Sequence, residues 1–155
     1  MKQDKDRARI SKIVVAIDIS DYSKLVMEKA FVIANSFDSD VYAVSVVKMP
    51  VLAAEEGDFL MSEVKREEKE LLDHHKLLID KYFTGSTLLV ESQILHGDPA
   101  NKICDFAASV SADIIIIGSK GLSGIQRLFL GSVSQSVIKN APCSVFVVRD
   151  KEFKR

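Results

Sequence analysis

Two short runs in this chain, Ile13–Ile17 and Ile114–Ile117, are apolar at every position. A strand wetted on one face alternates apolar with polar residues, so an unbroken run of this length marks a strand covered on both faces. Such strands belong to mostly parallel sheets, joined by crossover helices that lie on either face. The residues between the runs supply those helices. Val26, Ala30, Ile33 and Ala34 stand at i, i+4, i+7 and i+8, which predicts an amphipathic helix after the first run. Asp18, Ser20, Asp21 and Ser23 precede it as turn and N-cap residues. Phe37 to Asp40 punctuates the helix, and Val41 to Val47 reads as a second strand.

A loop follows from Met49 to Gly57, and then the longest helix, from Asp58 to about Tyr82, with Leu60, Val64, Leu71 and Leu78 on one stripe. Its mixed charges mark a solvated face. His75 falls on the stripe and reads as a core-edge histidine; adjacent His74 cannot join it as an i, i+4 metal pair. Gly85 closes the helix region, and Ser86 to Leu95 reads as the third strand. Asp98 and Pro99 are N-cap and N1 residues for a helix carrying Ile103, Phe106, Ala107 and Val110. Asp113 to Ile117 is the fourth strand. A last helix runs from Ser132 to Lys139, stopped by Asn140-Ala141-Pro142, and Val145 to Val148 is the last strand. The fold class is therefore α/β, one domain over residues 12–149, between a flexible leader (1–11) and a charged tail (150–155).

Between the fourth strand and the last helix lies a glycine-rich loop with Gly118, Gly121, Gly124 and Gly131. Strand, glycine-rich loop and helix together bring backbone N–H groups and a helix N-terminus around an anion. Ser132-x-x-Gln135 is a capping-box pattern, which makes Ser132 the expected N-cap. The spacing is neither a Walker A loop nor G-x-G-x-x-G. In open α/β sheets ligands bind beyond the carboxyl ends of the strands, where the strand order reverses. Asp18 and Gly118 each lie just past a strand, and they converge if those strands are neighbours.

Composition excludes several function classes. A formal net charge of −1 argues against nonspecific nucleic-acid binding. No apolar window is long enough to span a bilayer, and the charged N-terminus has no signal-peptide core, so a cytoplasmic location is expected. Cys104 and Cys143 stand apart from any histidine pattern and read as structural thiols, with no metal site implied. No Ser-His-Asp set or other catalytic base stands out.

The run Gly118-x2-Gly121-x9-Gly131-Ser132 resembles the ATP-binding signature of the universal stress protein family. VVAIDISDYS, with Asp18 and Ser20, is similar to that family's first strand end. Gly97, Pro99 and Asp113 match its later G-x-P…D pattern. The resemblance covers roughly residues 12–149 and implies a five-stranded parallel sheet of order 3-2-1-4-5, adenine nucleotide alpha hydrolase-like, paired as a homodimer through Val145–Val148. It implies an ATP or AMP site in which Ala16, Ile17 and Asp18 border the adenosine and Val46 faces the adenine. Backbone groups around Gly118, Ser119, Gly121, Gly131 and Val133 then hold the phosphates, helped by the Ser132 and Ser134 hydroxyls and by Lys120 and Arg127. Magnesium would be held mainly by those phosphates. The reading is a nucleotide-dependent stress-response or regulatory module with a protein partner that the sequence does not identify. A slow ATPase or nucleotidyl-transfer enzyme, and a ligand-free dimeric interaction module, stand beside it as alternatives.

Overall fold

A computed structural model describes residues 9–49, 57–120 and 130–150. The elements run β1 (Lys12–Ala16), α1 (Tyr22–Phe37), β2 (Asp40–Val47), α2 (Gly57–Phe83), β3 (Val90–His96), α3 (Pro99–Ser109), β4 (Ile114–Gly118), α4 (Ser132–Asn140) and β5 (Ser144–Val148). All pairings are parallel, and the strand order is β3-β2-β1-β4-β5. The order expected from the family resemblance is thus the one found. Among the described residues no helix is long and apolar enough to cross a membrane.

The unbroken apolar runs have the cause assigned to them. Ile13, Val15 and Ile17 pack against Met27, Ala30 and Ala34 of α1 and Leu78 of α2. Val14 and Ala16 face the other way, onto Ile103 and Ala107 of α3 and Val137 of α4. Both faces of the central strands are therefore closed by helices, and every residue of β4 is buried. At the other end of the strands from Gly118, the Asp113 carboxylate accepts from the backbone of Ser11 and Lys12, at 2.7 and 2.9 Å. That contact pins the entry of β1 to the entry of β4.

One boundary and one cap differ from the sequence reading. β3 starts at Val90 rather than Ser86, because residues 84–89 are used to turn out of α2. Gly85 takes φ +83° and Ser86 N–H returns to Phe83 O at 3.0 Å, so the ladder with β2 is joined only from Leu89 O onward. At the start of α1, Asp21 is the N-cap but makes no capping bond; its carboxylate is held by Lys24 at 2.6 Å instead. Asp98 does cap α3 as expected, accepting from Asn101 N–H at 3.0 Å with Pro99 behind it. His75, expected at the core edge, is fully buried.

Candidate functional site

Ala16 lies beside Ile117 in the β1–β4 register, so Asp18 and Gly118 leave the sheet at the same point. Between these exits opens a cleft of about 500 Å³, within the range of small-molecule sites. One wall is apolar, from Ala16, Val44, Val46, Ile103 and Ile117. The other is backbone and hydroxyl, from Gly131 to Ser134 at the start of α4. Lys48 and Lys120 also border it, and Glu67 reaches it from α2. An apolar slot with a donor-rich, cationic end suits a flat ligand that carries an anion.

The α4 end is built differently from the expected capping box. Gly131, not Ser132, is the N-cap, and no side chain caps the helix. Ser132 is the first helical residue, and the first helical bond runs from Gln135 N–H to Gly131 O at 2.9 Å. The Gln135 amide turns outward to Leu130 O at 2.8 Å rather than back onto the cap. A serine at the N-cap would have closed the first turn with its own oxygen; glycine cannot. No acceptor among the described residues meets the N–H groups of Ser132, Val133 and Ser134. These three donors lie at the positive end of the helix dipole.

Other expected contacts are committed elsewhere. The Ser134 hydroxyl, expected as a phosphate donor, donates its one hydrogen to Gly118 O at 2.7 Å and is buried. Gly131 N–H is taken by Ser119 O, and Ser119 N–H by Val148 O, each at 2.9 Å. Ser119 is itself buried and does not line the cleft. Gly118 has a packing reason to be glycine: a Cβ there would lie 2.8 Å from the Tyr22 ring and 3.1 Å from Lys120 O. At Gly131 the same test gives 3.5 and 3.8 Å, ordinary contact distances. Asp18 is held in its own turn, its Oδ1 accepting from Ser20 N–H at 2.9 Å and from the Ser20 hydroxyl. Ser23 completes that turn by donating to Asp18 O at 2.5 Å. Gly121, Gly124 and Arg127 lie outside the described residues.

The structure thus brings Ala16, Ile17, Asp18, Val46, Gly118, Lys120 and Gly131 through Ser134 to one cleft and leaves Ser119 behind it. Tyr22, Ser45 and Lys48 were missed. Lys48 follows β2 as Asp18 follows β1, a positional signal that could have found it. Tyr22 carried no signal, because an aromatic residue at a helix start reads as packing. Its hydroxyl nonetheless meets Ser119 Oγ and Val148 O, both at 3.1 Å, and accepts from Asp150 N–H at 2.8 Å. Among the described residues no cluster of three His, Cys, Asp or Glu side chains could hold a metal ion. Burial raises the pKa of both Cys104 and Cys143, in keeping with packed thiols.

Comparison with known proteins points the same way. The model described as the Universal stress protein family matches residues 9–149. A universal stress protein of Methanocaldococcus jannaschii is 39% identical over 142 residues, spanning 89% of this chain and 81% of that one. Among solved structures, the universal stress protein UspA from Lactobacillus plantarum matches with a TM-score of 0.86 and 26% identity, over 92% of this chain and 99% of its own. A universal stress protein from Archaeoglobus fulgidus in complex with dAMP matches with a TM-score of 0.62 and 27% identity, over 90% of this chain and 98% of that one.

Proposed function

We propose, from the premise that this chain belongs to the universal stress protein family, that it is an adenine-nucleotide-binding regulatory module. The observation that carries this reading is the uncapped start of α4 opening into the cleft at the β1–β4 exit. The nucleotide's phosphates rest on the N–H groups of Ser132, Val133 and Ser134, with Lys120 nearby. The base and ribose take the apolar wall between Ala16 and Val46. ATP and AMP both fit the chemistry, magnesium entering with the phosphates of ATP. The relative solved with dAMP supports an adenine ligand.

Ser132→Pro tests the phosphate end. Ser132 is exposed and first in the helix, where proline is well tolerated, and Gly131 at φ −59° and ψ 152° already suits a following proline. The variant removes one N–H and one hydroxyl without disturbing the helix. AMP affinity by calorimetry is expected to fall by about 1.5–3 kcal/mol, the worth of a hydrogen bond to a charged group. Ser132→Ala separates the hydroxyl from the N–H. Unchanged affinity in Ser132→Pro, with native circular dichroism, overturns the placement of the phosphates.

The protein is further proposed to pair through β5, an apolar strand with no further strand beyond it among the described residues. Val148 O points to β4, where it accepts from Ser119 N–H. Backbone groups alternate sides along a strand, so Phe146 also faces β4 while Val145 and Val147 turn their N–H and C=O outward. Outward groups on an unprotected edge recruit a second strand. Val147→Pro is therefore the substitution expected to convert a dimer to monomer in sedimentation, whereas Phe146→Pro damages the β4–β5 ladder inside each subunit. A wild type that sediments as a monomer at all concentrations removes this interface.

A further inference from the structure

The ladder between β1 and β2 stops one bond early. Ile17 N–H still donates to Val44 O at 3.0 Å. In a parallel pair the next bond would run from Val46 N–H back to Ile17 O. That bond is not made; β1 ends at Ala16 while β2 continues to Val47. Ile17 O accepts instead from Ser45 Oγ at 2.6 Å. Val46 N–H is left with no acceptor among the described residues, and Val46 lines the cleft.

The bond that draws Ile17 O away is itself fixed from behind. Ser45 Oγ lies 2.7 Å from Nε2 of His75, a fully buried residue of α2. A carbonyl only accepts, so the Ser45 hydrogen must sit on the bond to Ile17 O. The second contact then runs from His75 Nε2–H to Ser45 Oγ. His75 is thereby fixed as the Nε2–H tautomer, and Nδ1 accepts from the Ser92 hydroxyl at 2.5 Å. A histidine pKa lowered to about 4 by burial keeps the ring neutral. A hydroxyl that receives one hydrogen bond donates its own more strongly, so His75 tightens the hold on Ile17 O. Ser45 is 2% exposed, and what it gives the cleft is the course of the backbone rather than its own oxygen.

We propose that Ser45, oriented by His75, is a positioning residue of the cleft: by taking the Ile17 carbonyl it stops β1 closing on β2 and keeps Val46 N–H open as a donor to the ligand. The proposal rests on the nucleotide reading above and deepens it, adding a donor at the apolar wall to those at the start of α4. The β1–β2 register already brings Ile17 O and Val46 N–H into line. A backbone carbonyl that loses its donor takes another where one is within reach. Without the Ser45 hydroxyl the ladder therefore runs one bond further, and the Val46 donor is committed inside the protein.

The test pairs amide hydrogen exchange, read by NMR on the intact ligand-free protein, with AMP affinity by calorimetry. In wild type the Val46 amide is expected to exchange at least about tenfold faster than those of Val44 and Val47, which lie within the ladders. In Ser45→Ala the Val46 amide becomes as protected as its neighbours, and AMP affinity falls about tenfold, near 1.4 kcal/mol. Ser45→Thr keeps the hydroxyl and restores both values. Should Ser45→Ala fail to fold because His75 Nε2–H is left unpaired, the double variant Ser45→Ala with His75→Leu removes both partners of that bond and carries the test. A Val46 amide already protected in wild type overturns the proposal. So does weaker AMP binding in Ser45→Ala with no gain of protection at Val46, which makes the serine merely structural, and so does unchanged affinity. Wild type that binds no AMP overturns the nucleotide reading and the donor role with it; the exchange comparison needs no ligand and tells that failure from this one.

Discussion

Acidification from pH 7 to pH 4 is expected to remove about 3 kcal/mol of stability through His75 alone. Its pKa stands at about 4 in the folded chain, against about 6.5 when unfolded. The unfolded state therefore binds the extra proton throughout that interval, and stability falls as pH falls through it. The contribution is complete above about pH 6.5 and is lost progressively on the way to the folded value. The cause is geometric: burial leaves no solvent for a charged ring, and His74, once protonated, opposes it further. Protonation would put a hydrogen on Nδ1, where the Ser92 hydroxyl now donates. Urea unfolding of wild type and His75→Gln at pH 7 and pH 4.5 isolates the effect, since glutamine keeps both hydrogen bonds without titrating. His74, whose pKa burial also lowers, titrates in both proteins, so its own contribution largely drops out of the comparison and only its coupling to His75 remains in the difference. Parallel pH profiles for the two proteins would show that His75 is not the group responsible.

Gly118→Ala is expected to destabilise the fold by about 1–3 kcal/mol, the usual result of forcing an added methyl into a filled space. The added Cβ meets the Tyr22 ring at 2.8 Å, and the ring cannot swing away freely. Its hydroxyl is tied to Val148 O, Ser119 Oγ and Asp150 N–H, so a shift of the ring disturbs the ends of β4 and β5 together. In a Tyr22→Ala background the same glycine substitution should cost much less, leaving only the 3.1 Å contact with Lys120 O. The four-protein cycle by urea unfolding should give a coupling of about 1–2 kcal/mol. Additive costs would mean that the ring and the glycine do not share the space. Gly131→Ala is the control, because its Cβ meets only ordinary contacts.

These two expectations show where reading the sequence succeeded and where it stopped. The unbroken runs at Ile13–Ile17 and Ile114–Ile117 determined a sheet covered on both faces, because burial of every side chain of a strand is written in consecutive residues. Asp98-Pro99 determined the start of α3, since capping is a contact between residues three apart. The glycine spacing located the loop and, through family resemblance, the strand order. What the glycines do was decided only in three dimensions. Gly118 yields its space to Tyr22, ninety-six positions earlier in the chain, and no local pattern records that neighbour. Ser132-x-x-Gln135 satisfied the capping-box pattern, yet the chain entered the helix one residue earlier, because Gly131 N–H is drawn to Ser119 O across the loop. His75 read as one position on a helical stripe; its burial and tautomer were fixed by Ser45 and Ser92 on two strands that the helix crosses. Local sequence determines elements because their forces act over a few residues. The committed donors and acceptors of the cleft depend on contacts between distant segments, and only the packed sheet brings those together.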